Sequence, residues 1–361
     1  ELSMSETFRI LVINPGSTST KLGLFENEDL VAEKKLNHSA EDIARFPHIM
    51  DQDGFRRAAM DDFLKEMKLE PKDLSAVVGR GGLLKPLPGG TYKVNEDIAA
   101  DLKASKYGEH ASNLGALLAY SYTREFGVPS FIVDPVIVDE LQDEARYSGL
   151  KEIPRRSVWH ALNITAVVRQ TCTNLGMEVS KENFVAAHLG GGISVAAIEK
   201  GRCIDVSNGL DEGPFTPERA GCLPTIELVK LCFSGKYTQK EINKMLVGQG
   251  GIVNYLGTSS LLDVENKVVA GDEEYIKVFN AMCYQIAKTI GSYVAVLKGK
   301  VTRIIITGGG ARCKPLIDKV SEYVKCFAPI HVVPGEDELS ALALGGLRVL
   351  RKETKAREYH S

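Results

Sequence analysis

Phe8 to Glu28 reads FRILVINPGSTSTKLGLFENE. Its two apolar runs, Ile10–Ile13 and Leu22–Phe25, are short and rich in branched residues, and each predicts a strand. Between them stand Asn14, Pro15, Gly16, the hydroxyl residues Ser17, Thr18, Ser19 and Thr20, and finally Lys21. A plain hairpin uses about two to five loop residues. This loop is longer and crowded with small donors. Backbone N–H groups of a Gly/Ser turn can converge into an anion nest. The hydroxyls add donors and Lys21 adds a charge, so the stretch predicts a bound phosphate. Its plain rival is a polar, solvent-exposed turn.

A second stretch decides between them. Phe184 to Ser207, FVAAHLGGGISVAAIEKGRCIDVS, again reads strand, Gly/Ser turn, strand, charged turn, strand. The opening repeats that order through Leu36, with LVAEKKL (30–36) as its third strand. Two phosphate-type hairpins, each followed by alternating helix and strand, predict a duplicated α/β unit.

Composition narrows the class. The 361 residues suit two domains or one large one. Hydrophobic content of 44% with 25% charged residues fits an ordinary globular enzyme. A net charge of −3 supplies no broad basic field for nucleic acid. The seven cysteines contain no CxxC pair, which predicts reduced thiols in a cytoplasmic setting over a disulfide or zinc framework. No apolar run reaches membrane-spanning length. No basic-then-apolar leader opens the chain; Met4 reads as the natural start, with Glu1-Leu2-Ser3 a cloning remnant.

The remaining elements follow from periodicity. Helices are expected over 55–67, 95–105, 114–126, 157–175, 273–297 and 338–350, and strands over 74–78, 130–133, 301–307 and 330–333. Thr238 to Glu241 forms a capping box. Arg80, directly after a buried strand, falls at the carboxyl edge of a sheet, where open α/β sheets take ligands. The interdomain joint is expected near Lys151–Pro154, and the charged tail from Arg351 is expected to fray.

Six strings in order then carry a resemblance: VINPGSTSTK, GRGGLLKPLPGGTY, HLGGGISV, EGPFTPERAG, ITGGGA and PGEDELSALALGG. Together they cover Phe8 to about Leu350, and the chain resembles the acetate kinase/butyrate kinase family, most of all its butyrate branch. The family belongs to the actin–sugar kinase–heat shock ATPase superfamily. The resemblance implies duplicated actin-like (ribonuclease H-like) domains with a nucleotide cleft between them. On that pattern one domain spans 8–153, with a terminal helix of about 344–361 packing back on it, and the other spans 154–343. The implied reaction joins ATP and a short fatty acid, giving ADP and an acyl phosphate, with Mg²⁺ as the metal and a homodimer or larger homo-oligomer as the assembly.

The family pattern assigns positions residue by residue. Asn14, Ser17, Ser19 and Lys21 match the first phosphate loop; His188 with Gly190, Gly191 and Gly192 match the second. Gly308, Gly309 and Gly310 match the adenosine motif. Arg80, His110, Asp134, His160 and Arg219 match positions around the transferred phosphoryl group. An acid opening the last helix matches a magnesium-linked position; among Glu336, Asp337 and Glu338 the register is ambiguous, with Asp337 the first choice. Asp134 is the other implied metal-organising acid. Acetate kinases carry valine where this chain has Gly82 and phenylalanine where it has Trp159. That departure predicts an acyl pocket, lined with His110, that takes a C4 chain better than acetate.

The residue types suit this chemistry. A carboxylate nucleophile, with a pKa near 4.3 like that of Glu, is ionised at neutral pH and needs no general base. The difficulty is bringing an anion to a polyanion. Two like charges about 4 Å apart repel by roughly 4 kcal/mol at an effective dielectric of about 20. Arg80 and Arg219 suit the carboxylate and the phosphoryl group, because guanidinium grips oxygens bidentately. His160 and His188 suit donation to phosphoryl oxygens. Each residue has a plainer rival: Arg80 as a surface arginine, His110 as a structural histidine, Asp134 as a turn former. Gly308 to Cys313 lacks the third spaced glycine of a dinucleotide fingerprint, and no P-loop string occurs. Two other functions compete: a branched-chain fatty acid or acetate kinase of the same fold, and a non-catalytic ATP-switched module of the actin or heat-shock kind.

Overall fold

The structure, a computed structural model, describes residues 6–361, so the expected start at Met4 lies outside the described residues. The chain divides into two compact units: residues up to Val138 with Asp337–Ser361, and Asp139–Glu336.

In the first unit, Arg9–Pro15 (β1), Ser19–Glu26 (β2) and Asp29–Asn37 (β3) form an antiparallel meander. Ala76–Gly79 (β4) and Ser130–Val133 (β6) extend it in parallel from β1, and Thr91–Lys93 (β5) closes the far edge antiparallel to β6. The sheet order is β3-β2-β1-β4-β6-β5. In the second unit Asn183–Leu189 (β7), Ile193–Glu199 (β8) and Arg202–Val206 (β9) repeat the meander. Arg303–Gly308 (β10) and Ile330–Pro334 (β11) extend it in parallel, in the order β11-β10-β7-β8-β9. The two sheets therefore share one plan, an antiparallel meander followed by parallel strands, as the repeated hairpin predicts.

Branched residues build these sheets because they pack well on a pleated surface. Ile10 to Ile13 are fully buried in β1, and Ile304 to Ile306 in β10. Both faces of these central strands are covered, so the runs are continuous and not alternating. In the second unit Phe279, Ile286 and Ile290 of the helix Glu273–Val296 join Val185, Val195 and Ile306 in one core. In the first, Phe63 and Met60 of the helix Asp53–Glu66 join Leu11, Ile13 and Val77. The helix Glu338–Leu350 packs closely on the first sheet through small residues: a Cβ on Gly345 would lie 2.4 Å from Val133.

Three expectations need correction. The units divide at Val138/Asp139, upstream of the expected joint, and the helix 338–350 belongs wholly to the first unit. The segment after Asp139 is tied to the second unit instead: Gln142 N–H donates to Ile204 C=O, and Arg155 pairs with Asp205 and Glu212. The helix expected from Ser157 begins at Ala161, because Val158 C=O is occupied by Gly209 N–H and Trp159 is buried. The tail does not fray. Arg357 N–H donates to Thr91 C=O, and the buried Tyr359 donates its hydroxyl to Asp101 at 2.8 Å.

Candidate active site

In the first unit the loop between β1 and β2 is braced from below. Gly16 N–H donates to Ser19 C=O at 2.7 Å, which folds the turn. Arg56, from the helix Asp53–Glu66, is fully buried beneath it. Its guanidinium donates to the carbonyls of Ser19 (2.9 Å) and Ser17 (3.5 Å), to Thr20 Oγ1, and twice to Gln52 Oε1. All these acceptors are neutral, and burial lowers the Arg56 pKa to about 10. A buried cation with no counter-ion among the described residues, set under a donor-rich loop, is electrostatically suited to an anion above it. Thr20 Oγ1 also meets His38 Nε2 at 2.8 Å.

Arg80 leaves β4 where two glycines meet. A Cβ on Gly79 would stand 2.1 Å from Gly115 C=O, and one on Gly115 2.5 Å from Arg80 C=O. That close approach sets the Arg80 backbone against the start of the helix Asn113–Phe126, while Arg80 N–H donates to Ile13 C=O. The guanidinium pairs with Glu338, whose second oxygen accepts from Asn14. Burial raises the Glu338 pKa, but Arg80, Asn14 and Lys21 together outweigh it and hold the carboxyl below its ordinary value. The acid turned toward the loop is therefore Glu338. Asp337, the first choice, spends its carboxylate capping the helix through Ser340 N–H. Helix phase decides this, and sequence alone left it open.

Asp134 directly follows β6 with φ at +38°, in the left-handed region, and such conformations in non-glycine residues concentrate at functional sites. Its Oδ1 accepts Gly90 N–H at 2.7 Å. His110 Nδ1 meets Ser112 Oγ at 2.8 Å. Although its surface is open to solvent, the protein packed around it and the Arg80 charge lower its pKa. Gly82 gives a correction. A Cβ there would lie 2.5 Å from Asn113 Oδ1 and 2.7 Å from Leu102. The space that a missing side chain was expected to open is filled by Asn113 and Leu102.

The second unit carries a matching set. His188 is the penultimate residue of β7, buried, with Nε2 3.6 Å from Glu336. His160, first residue before the helix Ala161–Leu175, stacks on it at 3.9 Å and 8°. The buried Trp159 precedes this pair. Gly191 and Gly192 let the turn Thr216–Arg219 approach: their Cβ atoms would fall 2.8 Å from Glu218 and 2.2 Å from Arg219. Thr216 accepts from Arg219 N–H at 2.9 Å and donates to Gly191 C=O, locking the two turns together.

Arg219 donates Nη1 to Gly209 C=O, yet its buried Nε–H has no partner among the described residues. Burial lowers its pKa and Glu218 partly restores it. An orphaned guanidinium donor calls for a missing acceptor, and an oxyanion supplies one. The same unit holds a cavity of about 220 Å³ walled by Leu189, Ile193, Leu261, Met282 and Leu316, with Gly190, Gly191, Gly309 and Gly310 contributing bare backbone. The lining combines apolar side chains with bare glycine backbone, a mixture typical of small-molecule sites.

Comparisons with known proteins identify the family. Residues 149–327 match the model of the acetokinase family. A protein named probable butyrate kinase from Listeria innocua is 50% identical over 354 residues, 98% of this chain and all of that protein. Butyrate kinase 2 of Clostridium acetobutylicum is 50% identical over 353 residues, 98% of this chain and 99% of that one. The chain belongs to the acetokinase family. Membership makes it an ATP-dependent phosphotransferase with a carboxyl group as acceptor. The crystal structure of Porphyromonas gingivalis acetate kinase superposes with a TM-score of 0.77 at 20% identity, covering 95% of this chain and all of that one. That likeness is one of fold, the duplicated actin-like plan already visible in the two sheets.

Within this acetokinase, the structure brings Asn14, Arg80 and Glu338 together in one unit and His160 and His188 together in the other. Sequence reading missed Arg56, Asn163 and Thr216. Arg56 and Thr216 bond to loop carbonyls and Asn163 to residues of β7 and β10, all distant in sequence, and each sits in a string that looks like ordinary helix or turn. Among the described residues no three acids, histidines or cysteines cluster to hold a metal. No helix among the described residues is long and apolar enough to cross a membrane.

Proposed function

We propose that this chain is a butyrate kinase, transferring the γ-phosphoryl group of ATP reversibly to butyrate to give ADP and butanoyl phosphate. One observation carries the acid: half of all positions, over nearly the whole chain, are shared with proteins named butyrate kinase. The ionised carboxylate attacks phosphorus in line, forming the acyl C–O–P bond as the bond to the ADP oxygen breaks. No proton moves, so no base is required. Arg80 and Arg219 take the carboxylate and the phosphoryl oxygens, and the orphaned Nε–H of Arg219 supports its share. His188 and His160 donate to equatorial oxygens, whose charge spreads in the transition state. Asn14, Ser17, Ser19 and Lys21 hold phosphate in the first unit, while Gly190 to Gly192 and Gly308 to Gly310 cradle the nucleotide in the second. Asp134 and Glu338, in place of Asp337, are the acids suited to organise the waters of magnesium, which when bound neutralises charge on the phosphates. A cytoplasmic homo-oligomer completes the reading, supported by family resemblance.

The test is a hydroxamate trap for acyl phosphate, run with MgATP and acids from acetate to valerate, straight and branched. The highest kcat/KM should fall on butyrate. A clear preference for isobutyrate or acetate would overturn the acid, and no product with any acid would overturn the kinase.

A further inference from the structure

His188 could present its Nε2 either as a hydrogen-bond donor or as an acceptor, and the distinction decides whether it helps or opposes a phosphoryl oxygen. Three buried neighbours settle it. Gly335 C=O lies 3.2 Å from Thr307 Oγ1. A carbonyl can only accept, so the Thr307 hydroxyl donates there. The Thr307 oxygen is then left to accept, and Asn163 Nδ2 stands 3.4 Å from it. This orients the Asn163 amide with its NH₂ toward Thr307. The same Nδ2 is 2.8 Å from His188 Nδ1, so Nδ1 must be the ring nitrogen that accepts. An imidazole whose Nδ1 accepts carries its proton on Nε2.

Thr307 is fully buried, and Asn163 and His188 are 5% and 2% exposed, which leaves little room for water to supply another partner. The relay starts from a fixed carbonyl. Gly335 C=O also accepts Gly308 N–H at 3.0 Å, and Gly308 C=O accepts Gly335 N–H at 2.7 Å. The anchor is therefore the junction of β10 and β11 beside the adenosine glycines. The ring plane is set from the other side by the stacked His160, whose Nδ1 meets Ser194 Oγ at 2.8 Å.

We propose that Asn163 is a positioning residue: with Thr307 it holds His188 as the Nε2–H tautomer, so that the ring donates to the phosphoryl group and does not accept a proton from anything there. This rests on the proposed phosphoryl-transfer role of His188. It adds which proton the ring carries and what fixes it. The local logic is that of an outer partner setting a histidine's tautomer, whose loss typically costs about 10–100-fold in activity.

Two nearly isosteric variants test it. Asn163→Asp replaces the donor facing Nδ1 by an acceptor and should move a proton to Nδ1. Thr307→Val removes the anchor and frees the amide to turn over. The readout independent of turnover is ¹⁵N NMR of the His188 ring in the full chain, which separates a bare ring nitrogen from a protonated one. Wild type should show Nδ1 bare and Nε2 protonated; Asn163→Asp should show Nδ1 protonated. In the hydroxamate assay kcat should fall about 10–100-fold in Asn163→Asp and less in Thr307→Val, with the KM for ATP within about threefold of wild type. A wild-type ring protonated on Nδ1 would overturn the proposal, as would full kcat in a folded Asn163→Asp. If Asn163→Asp does not fold, unchanged ring signals and unchanged kcat in Thr307→Val would overturn it equally. Failure of the wild-type enzyme to phosphorylate any acid would instead strike the function, leaving the ring signals to decide the tautomer.

Discussion

Alanine at Gly308 and alanine at Gly309 should do opposite things, although the residues are neighbours. Gly308 holds φ 88° and ψ 173°, a region almost closed to side chains, where strain costs roughly 1–3 kcal/mol. Its Cβ would also lie 2.3 Å from Leu189 O and 2.8 Å from Leu189 N. Relieving that overlap moves backbone, at about another 1–3 kcal/mol. Gly308→Ala should therefore destabilise the second unit by roughly 2–6 kcal/mol in all. For a domain of this size that lowers Tm by roughly 4–24 °C. Gly309 has no atom within 4 Å of its Cβ position and lines the cavity. Gly309→Ala should leave stability within about 0.5 kcal/mol, yet place a methyl group where a nucleoside packs. Overpacking of about 1–3 kcal/mol weakens binding by roughly 5–150-fold. Calorimetry reads both: unfolding for Tm, and titration with ADP for Kd. Wild-type ADP affinity in Gly309→Ala would refute the cradle, and an unchanged Tm in Gly308→Ala would refute the packing argument.

Arg56→Lys keeps the charge but cannot reproduce the fork to Ser17, Ser19 and Gln52, so steady-state kinetics should show roughly a tenfold rise in the KM for phosphoryl donor. His38 has its pKa lowered by burial first and by the Arg56 charge second. The unfolded state then binds more protons as pH falls through about 6.5, so stability should drop over that window; urea unfolding from pH 8 to 5 should show the drop in wild type and a flatter profile in His38→Asn. Tyr359→Phe removes the bond to Asp101 and should cost about 1 kcal/mol, while deleting Arg357–Ser361 should cost several-fold more, both read as Tm. Gly82→Val should lower stability by roughly 1–3 kcal/mol or more, through overlap with Asn113 and Leu102, in place of a shift in acid preference; a stable variant with altered kcat/KM ratios would restore the pocket argument.

The sequence by itself determined the repeated hairpins, the buried strand runs and the residues at their ends. These are local signals: period, turn chemistry, and the position of Arg80 or Gly308 immediately after an apolar run. The same locality explains what it left open. Whether Asp337 or Glu338 faces the loop depends on the phase of a helix against a sheet more than 300 positions earlier in the chain, since Asn14 and Glu338 are 324 apart. Gly82 looked like room for a substrate because a string shows which side chain is missing, not which neighbour fills the gap. The tail's charges predicted fraying, while Tyr359 found a buried partner 258 residues away and Arg357 bonded to the buried Thr91. Arg56 under the first loop and Asn163 behind His188 share that origin. Each works through hydrogen bonds closed across long loops, and only the folded chain brings those donors and acceptors within 3 Å or so of one another.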